Sequence, residues 1–340
     1  MKVAIMTDSN SGITQEEGKK LGIKVIPMPF TIDGKEYLED ITLNQEQFYK
    51  MLANGASVST SQPSVGFVNS IWDELLEEYD QIVYIPMSSG LSKSCESAML
   101  SAKANYEGKV FVVNNQRISV TQRQSVLDAI ELSQKGYDGK TIHDDLMKVK
   151  MQSDIFIMVD TLKYLKQGGR ITPAAAAVGG VLKIKPVLLI KGEKLDKFRM
   201  LNRTLGNAKR IMLDACKDCI NGYLKDIDGR VDNVHLEIAY TGVDDTEAKK
   251  FAEMINEEFP GQEIVISPLS LSVSCHIGPG ALAMAIALLG ADKCSTISMP
   301  GNIKSDEEII KEVASGKKAF GFTAQHIEQV VPIIMGELLK

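Results

Sequence analysis

Three segments of the sequence place hydroxyl and glycine residues where they could bind an anion. They are residues 60–64 (Thr-Ser-Gln-Pro-Ser), residues 88–94 (Ser-Ser-Gly-Leu-Ser-Lys-Ser) and residues 276–280 (His-Ile-Gly-Pro-Gly), and each precedes an apolar run that we predict to be helical. Serine, threonine or glycine before a helix, and proline at its first position, are typical of helix N-termini. Such a terminus leaves backbone N–H groups unpaired and carries a partial positive charge. The three segments together therefore predict an anion site.

The side chains of these segments suit a carboxylate in particular. Hydroxyl groups donate hydrogen bonds without adding a full charge, and His276 offers either a hydrogen bond or a positive charge near neutral pH. Taken singly, each segment is more often only a helix cap, and a single histidine is more often structural. The sequence has no nucleophile elbow, P-loop or dinucleotide-binding pattern, and no cysteine–histidine spacing typical of zinc. We therefore expect no cofactor and no metal.

The first half of the chain has the pattern of a parallel sheet covered by helices, because short β-rich runs alternate with amphipathic stretches. The predicted strands are almost entirely apolar, as parallel strands buried on both faces should be, and they are residues 3–6, 24–30, 82–85, 110–113 and 155–159. Segment 88–94 follows one of them directly, which is where ligands bind in open parallel sheets. We predict a doubly wound, mainly parallel α/β domain over residues 1–160.

The second half has a different pattern, in which strands and helices mix without regular alternation. Predicted strands are residues 186–190, 235–240 and 264–268, and predicted helices are residues 205–224, 245–259 and 281–289. This mixture favours an α+β domain, which we place at residues 161–290. Residues 291–340 form a C-terminal extension to which the sequence assigns no role. Two domains also agree with a length of 340 residues.

Composition excludes several classes of protein. The net charge of −6 argues against nucleic acid as a partner, since DNA and RNA binding needs clustered basic residues. The longest apolar run, residues 281–289, is far shorter than the ~20 residues of a membrane span, so we expect no stable membrane insertion. No secretory signal pattern begins the sequence, and five scattered cysteines suit a reducing compartment. We expect a cytoplasmic protein.

Seven short motifs, in order and at the expected spacing, resemble the DegV family of bacterial fatty-acid-binding proteins. They cover roughly residues 1–285 and are residues 3–9 (Val-Ala-Ile-Met-Thr-Asp-Ser), 60–64, 88–92, 164–171 (Tyr-Leu-Lys-Gln-Gly-Gly-Arg-Ile), Lys185-Pro186, Arg203-Thr204 and 276–280. Proteins of this family serve as the lipid-carrying subunits of fatty acid kinase.

The resemblance implies a lipid-binding protein that is not itself catalytic. A long-chain fatty acid such as palmitate would lie between the two domains and be presented to a separate ATP-dependent fatty acid kinase, which forms the acyl phosphate. The resemblance places Thr60, Ser61 and Ser94 on the fatty acid carboxylate, with His276 reaching it from the second domain. Ser92 and Arg170 would be neighbours of the head group.

The sequence departs from the family pattern beside the head group. The family usually has Gly-Thr after Leu-Ser, whereas this chain has Lys93 and Ser94. Ser94 keeps the hydroxyl, but Lys93 adds bulk and charge. The sequence does not determine which residues line the acyl tunnel. Residues 174–182 and 281–289 are apolar enough to contribute, but ordinary core packing explains them equally well.

Two other functions compete with fatty acid binding. In a serine hydrolase acting on acyl esters, Ser61 or Ser94 would be the nucleophile, His276 the base and Asp8 the group that orients the base. A small-anion-binding protein would use the same helix starts but would need no apolar tunnel.

Overall fold

The computed structural model describes residues 1–177, 184–223, 234–288 and 310–311. Its strands, in chain order, are β1 (Val3–Asp8), β2 (Lys24–Ile26), β3 (Pro29–Ile32), β4 (Lys35–Leu38), β5 (Val58–Thr60), β6 (Gln81–Ile85), β7 (Val110–Val112), β8 (Ser153–Met158), β9 (Val187–Ile190), β10 (Asp196–Arg199), β11 (Val234–Tyr240), β12 (Val265–Pro268) and β13 (Leu282–Leu288).

Its α-helices, in chain order, are α1 (Gln15–Leu21), α2 (Gln45–Ala53), α3 (Val65–Leu76), α4 (Ser94–Asn105), α5 (Ser119–Gln134), α6 (Gly139–Lys148), α7 (Lys163–Gly168), α8 (Pro173–Ala176), α9 (Leu205–Tyr223), α10 (Thr246–Glu258) and α11 (Leu271–Ile277). None of the described helices is long and apolar enough to cross a membrane.

The N-terminal part is built on a four-stranded parallel sheet, which we call the parallel sheet, with the order β2-β1-β6-β7. Side chains of a strand point alternately to opposite faces. Ala4 and Met6 accordingly pack with α3 and α4, whereas Val3 and Ile5 pack in the cluster that contains α5 and α6. Helices therefore cover both faces, and the predicted doubly wound, mainly parallel fold of the N-terminal part is confirmed.

A small antiparallel sheet with the order β4-β3-β5 follows β2. The sequence predicted one strand over residues 24–30, but the chain leaves the parallel sheet after β2 and begins this second sheet at β3. The small sheet matters for the site because β5 ends at Thr60.

The C-terminal part contains a six-stranded sheet, which we call the mixed sheet, with the order β10-β9-β8-β13-β11-β12. Only β11 and β12 pair in parallel; the other neighbours are antiparallel. Helix α5 packs against β1 and β6 of the parallel sheet and against β11 and β13 of the mixed sheet, so it joins the two parts.

The prediction that residues 155–159 belong to the parallel sheet is wrong. They form most of β8, which pairs antiparallel with β9 and β13. An apolar run has the same composition in any strand buried on both faces, so composition could not distinguish the two sheets. The division of the chain into domains at residue 160 stays a prediction.

The prediction of a helix over residues 281–289 is also wrong, because residues 282–288 form strand β13 at the centre of the mixed sheet. A short, uninterrupted apolar run does not by itself distinguish a buried strand from a buried helix. The other second-half predictions are confirmed by β9, α9, β11, α10 and β12. Residues 178–182 of the proposed tunnel wall, and the C-terminal extension apart from residues 310–311, lie outside the described residues.

Candidate functional site

A cavity of about 750 Å³ lies between the parallel sheet and the helices of the C-terminal part. Asn10 and Met87 line it from just beyond the carboxyl ends of β1 and β6, and Leu165 and His276 line it from α7 and α11. Ligands of open parallel sheets bind at this edge. The volume falls within the roughly 300–1,000 Å³ that is typical of small-molecule sites.

Much of the cavity wall is aliphatic. The apolar lining residues are Met28, Pro63, Met87, Leu91, Ile118, Leu165, Ile190, Leu195, Val273 and Ile277. The described residues of the two stretches predicted as tunnel walls, 174–182 and 281–289, are not among the lining residues. Ala175, Ala281 and Ala283 pack instead in a hydrophobic core cluster. Among the described residues, the apolar wall therefore comes from positions scattered along the chain.

The first predicted anion-binding segment lines the cavity from Thr60 to Ser64. Ser64 is the N-cap of α3, and its hydroxyl accepts a hydrogen bond from the Phe67 N–H at 3.2 Å. Thr60 ends β5, and its Oγ1 lies 2.8 Å from Nε2 of His276. Ser61 is exposed at the rim. The segment is thus a helix start, as predicted, and one of its hydroxyls contacts the predicted histidine.

His276 reaches the cavity from the last turn of α11, and the prediction that it precedes a helix is wrong. The ring is mostly buried, and burial together with the neighbouring Arg170 guanidinium lowers its pKa to about 4. The imidazole is therefore neutral at physiological pH. The neutral ring contributes through its hydrogen bond with Thr60, and burial disfavours the positive charge that the sequence left open near neutral pH.

The second predicted segment forms the loop between β6 and α4. Ser89 to Lys93 line the cavity, and Lys93 is exposed at its rim. Ser94 is buried and does not line the cavity, but its Oγ lies 3.1 Å from Oγ of Ser92, which does. The Ser94 hydroxyl is therefore one hydrogen bond away from the cavity surface.

The same loop touches the C-terminal part directly. The Ser88 hydroxyl donates to the Gly192 carbonyl at 2.5 Å, next to the turn that joins β9 to β10. A Cβ on Gly90 would lie 2.7 Å from that carbonyl oxygen, so only glycine fits this close approach without movement. This contact closes one side of the cavity.

Arg170 contributes a cation to the wall. Its Nε donates to the Leu91 carbonyl at 3.2 Å, and Nη1 donates to the Gly168 carbonyl, which fixes the guanidinium across the two parts of the chain. The charged lining residues are Lys93, Lys194, Arg170 and Glu96. Three cations against one carboxylate favour an anionic ligand group at this wall.

The polar and apolar lining residues differ in depth. Ser61, Lys93, Gly169 and Lys194 are exposed, whereas Met28, Met87, Ile118, Leu165 and Leu195 are buried. The buried part of the lining also contains Asn10, Glu96 and Ser272, so the cavity has a polar mouth and an interior that is mainly, but not wholly, aliphatic. This arrangement suits a ligand with one anionic end and a long apolar body.

The residues proposed for a hydrolase triad are not arranged as one. The carboxylate oxygens of Asp8 accept hydrogen bonds from the Met87 N–H, the Asn10 N–H and the Gln122 amide, and none of these partners is His276. Nδ1 of His276, which an orienting carboxylate would contact, faces Gly168, where an added Cβ would lie 2.0 Å away. This geometry gives the hydrolase alternative no support.

Four polar lining residues are absent from the predicted site, namely Asn10, Glu96, Lys194 and Ser272. The Asn10 amide oxygen accepts hydrogen bonds from the hydroxyls of Ser270, at 3.2 Å, and Ser272. Asn10 lies in the polar turn after the first strand, a position that could have signalled contact with a ligand, but such turns are common. Among the described residues, no group of three or more His, Cys, Asp or Glu side chains is arranged to hold a metal ion.

Comparisons with known proteins identify relatives over most of the chain. A family model described as "Uncharacterised protein, DegV family" matches residues 2–288, and one described as a protein of unknown function matches residues 272–338. A DegV domain-containing protein of Staphylococcus aureus is 31% identical over 291 residues, which cover 84% of this chain and 96% of the relative.

Two solved structures share the fold. A DegV family protein of Thermus thermophilus, studied for fatty acid binding, is 27% identical with a TM-score of 0.76, and the match covers 85% of this chain and 100% of that protein. DegV of Bacillus subtilis, described as a fatty acid binding protein, is 26% identical with a TM-score of 0.74, and the match covers 85% and 99%.

Proposed function

The chain belongs to the DegV family, and we propose that it binds a long-chain fatty acid in the cavity of about 750 Å³. The observation that carries this proposal is that the cavity has an exposed mouth with cationic side chains and a buried interior that is mainly aliphatic. A fatty acid has the same two parts, a carboxylate and an acyl chain. The fatty acid binding described for the Thermus thermophilus and Bacillus subtilis proteins supports the proposal.

The carboxylate is held at the mouth by hydrogen bonds and by charge. Thr60, at the end of β5, and Ser61 donate from the segment that precedes α3, and neutral His276 shares a hydrogen bond with Thr60. Arg170, close enough to His276 to lower the pKa of its ring, supplies a positive charge beside them. Ser92 contacts the head group, and Ser94 orients Ser92 through the bond between their hydroxyls.

The acyl chain provides most of the binding free energy. Burial contributes about 0.8 kcal/mol per methylene, so ~14 methylenes supply on the order of 11 kcal/mol before ordering costs. A charge-assisted hydrogen bond adds roughly 1.5–3 kcal/mol. The mouth therefore sets the orientation of the ligand, and the interior sets its affinity.

We further propose that the chain presents the carboxylate to a separate fatty acid kinase. Exposure of Ser61, Lys93 and Lys194 supports this role, because the head-group end is the end that a partner can reach. The chain itself transforms nothing in this scheme. A cytoplasmic location fits this role, because the kinase uses ATP. It also fits the four described cysteines, which are free thiols.

Calorimetric titration of the delipidated protein tests the ligand. We expect hexadecanoic acid to bind with a stoichiometry of one and its methyl ester to bind more weakly, because the ester lacks the charge that the mouth recognises. Inorganic phosphate should not compete. Competition by phosphate without binding of hexadecanoic acid would support the small-anion alternative, and release of methanol from the ester would support the hydrolase.

A coupled assay tests presentation to the kinase. Acyl phosphate should form from ATP and hexadecanoic acid when both this chain and a fatty acid kinase subunit are present, and not with either protein alone. Acyl phosphate formed by this chain alone would contradict the proposal.

A further inference from the structure

Helix α11 is fastened along its whole length to side chains of the N-terminal part. Just before the helix, Gln45 Nε2 donates to the Leu269 carbonyl at 3.1 Å, and the Ser270 hydroxyl donates to Asn10 Oδ1. At the start of the helix, the Leu271 N–H donates to Glu39 Oε1 at 2.6 Å, and the Ser272 hydroxyl also donates to Asn10 Oδ1. Further along, the Tyr49 hydroxyl donates to Ser274 Oγ at 2.9 Å, and Thr60 Oγ1 lies 2.8 Å from His276 Nε2. The same helix lines the cavity with Ser272, Val273, His276 and Ile277. These contacts therefore fix one wall of the cavity.

Glu39 differs from the other groups that hold the helix, because it is a buried carboxyl group. It follows β4, is only 5% exposed and accepts the N–H of the first residue of α11. The titratable groups that face it are Asp8 from β1, Asp40 beside it, Tyr49 from α2 and Cys275 from α11 itself. All of these are neutral or negative, so they do not favour a charge on Glu39.

Burial raises the pKa of Glu39 to about 8. The hydrogen bond from the Leu271 N–H opposes this shift, and the negative charges of Asp40 and Asp8 add to it. The group is thus mainly neutral when the helix is docked at physiological pH. If α11 moves away and water reaches Glu39, the pKa returns towards its ordinary value of 4.5 and the proton is released.

We propose that Glu39 is a positioning residue of the cavity: its neutral form holds α11 and His276 against the N-terminal part, and its ionisation releases the helix. Since α11 forms part of the cavity wall, its release widens the way out and also speeds ligand exchange. This last step rests on the proposed fatty acid binding, whereas the release of the helix does not.

The direction of the pH effect follows from proton binding. The docked state binds more protons than the released state between pH 4.5 and about 8, so raising the pH favours release, by up to tenfold per pH unit. Asp8, His276 and Cys275 contribute little above pH 6.5. Burial raises the pKa of Asp8 only to about 6, His276 is already neutral, and Cys275, whose pKa burial raises to about 12, stays protonated.

Amide hydrogen exchange of residues 271–277 tests the release without any ligand. Glu39→Gln keeps a side-chain oxygen that can accept the Leu271 N–H but cannot ionise. Glu36→Gln, at an exposed position of β4, is the matched control. After correction for intrinsic exchange, protection in the wild type and in Glu36→Gln should fall at least tenfold from pH 6.5 to pH 8.5, and protection in Glu39→Gln should stay constant. An equal pH response in the wild type and Glu39→Gln overturns the proposal.

The dissociation rate of hexadecanoic acid tests the consequence for the ligand. We expect it to rise at least tenfold over the same pH interval in the wild type and in Glu36→Gln, but not in Glu39→Gln. A rate with the same pH dependence in all three proteins would overturn the role of Glu39 in ligand exchange. If hexadecanoic acid does not bind at all, the proposed function fails, while the exchange experiment still decides whether Glu39 holds the helix.

Discussion

His276 is held by contacts at both of its ring nitrogens. Nε2 lies 2.8 Å from the Thr60 hydroxyl, and Nδ1 faces the backbone at Gly168. Because its pKa is lowered to about 4, the ring acts as a neutral hydrogen-bonding group, and the cations of the mouth are Arg170, Lys93 and Lys194. Hydrogen bonding and charge thus come from different residues, and single substitutions can separate them.

Replacement of Thr60 by valine should weaken binding without changing the shape of the cavity. Thr60→Val removes the hydroxyl that pairs with His276 and that donates to the carboxylate in the proposed site, and loss of such a charge-assisted hydrogen bond costs about 1.5–3 kcal/mol of binding free energy. We expect the affinity for hexadecanoic acid to fall roughly tenfold to a hundredfold by calorimetry, at about 1.4 kcal/mol per factor of ten. Thr31→Val, which removes a hydroxyl from β3 away from the cavity lining, is the control. Equal affinity in the two variants would remove Thr60 from the site.

Gly168→Ala should displace the His276 ring. An added Cβ would lie 2.0 Å from Nδ1, so the ring or the end of α7 must move, and overpacking of this kind costs about 1–3 kcal/mol. We expect both the melting temperature and the fatty acid affinity to fall. Gly206→Ala in α9, where nothing lies within 4 Å of the added carbon, should lose neither. Normal binding by Gly168→Ala would show that the position of His276 is unimportant.

Several residues of the site could be identified from the sequence, because hydroxyls before a helix and a loop after a parallel strand have a local signature. Thr60, Ser61 and Ser92 belong to these segments and line the cavity. Arg170 and His276 line it too, but Arg170 was expected only from the family resemblance, and the helix start expected after His276 does not exist. Glu39 had no such signature. Its carboxyl group accepts a hydrogen bond from the N–H of Leu271, 232 positions away in the chain. Burial between these distant segments raises the pKa of Glu39.

The helices and strands around the site differ in how strongly the sequence determines them. Helix α3 begins at a serine cap and carries an apolar face, with Val68, Ile71 and Trp72 buried, and both features are local. Strand β13 is an apolar run without periodicity, and its strand conformation depends on pairing with β8 and β11. Elements with local caps and periodicity were therefore predicted correctly, whereas the central strand of the mixed sheet was taken for a helix.

The cap of α3 offers a test at the scale of one element. Ser64→Ala removes the acceptor of the Phe67 N–H and should lower the free energy of unfolding by about 1 kcal/mol in urea denaturation. Ser70→Ala on the same helix is the matched control. It removes a hydroxyl that bonds only to the preceding turn, so we expect it to be neutral or slightly stabilising, since alanine is the better helix former. Equal destabilisation by both substitutions would contradict the capping role of Ser64.

At the scale of the whole molecule, the cavity exists because two parts of the chain meet. Its wall combines loops after β1 and β6 with α7, α11 and the turn after β9. The two-part α/β architecture could be predicted from the alternation of strands and helices along the chain. The assignment of β8 to the mixed sheet could not, because pairing with β9 and β13 is decided by contacts between distant segments.

A ligand that binds both parts should stabilise the whole molecule. At a free concentration of about 100 times its Kd, hexadecanoic acid should add about 2.7 kcal/mol to the free energy of unfolding. We expect the melting temperature of the delipidated protein to rise by several degrees, while 1-hexadecanol, which has the chain but no carboxylate, should have a smaller effect. An equal shift with the alcohol would show that the mouth does not recognise the carboxylate.

Identification of the molecule that the protein carries tests the central claim most directly. The protein would be purified from bacterial cells, denatured and extracted, and the extract analysed by mass spectrometry. We predict a long-chain fatty acid in a stoichiometric amount, whose length and unsaturation would also show which acyl chains the cavity selects. A protein that releases no lipid and ignores added hexadecanoic acid would contradict fatty acid binding.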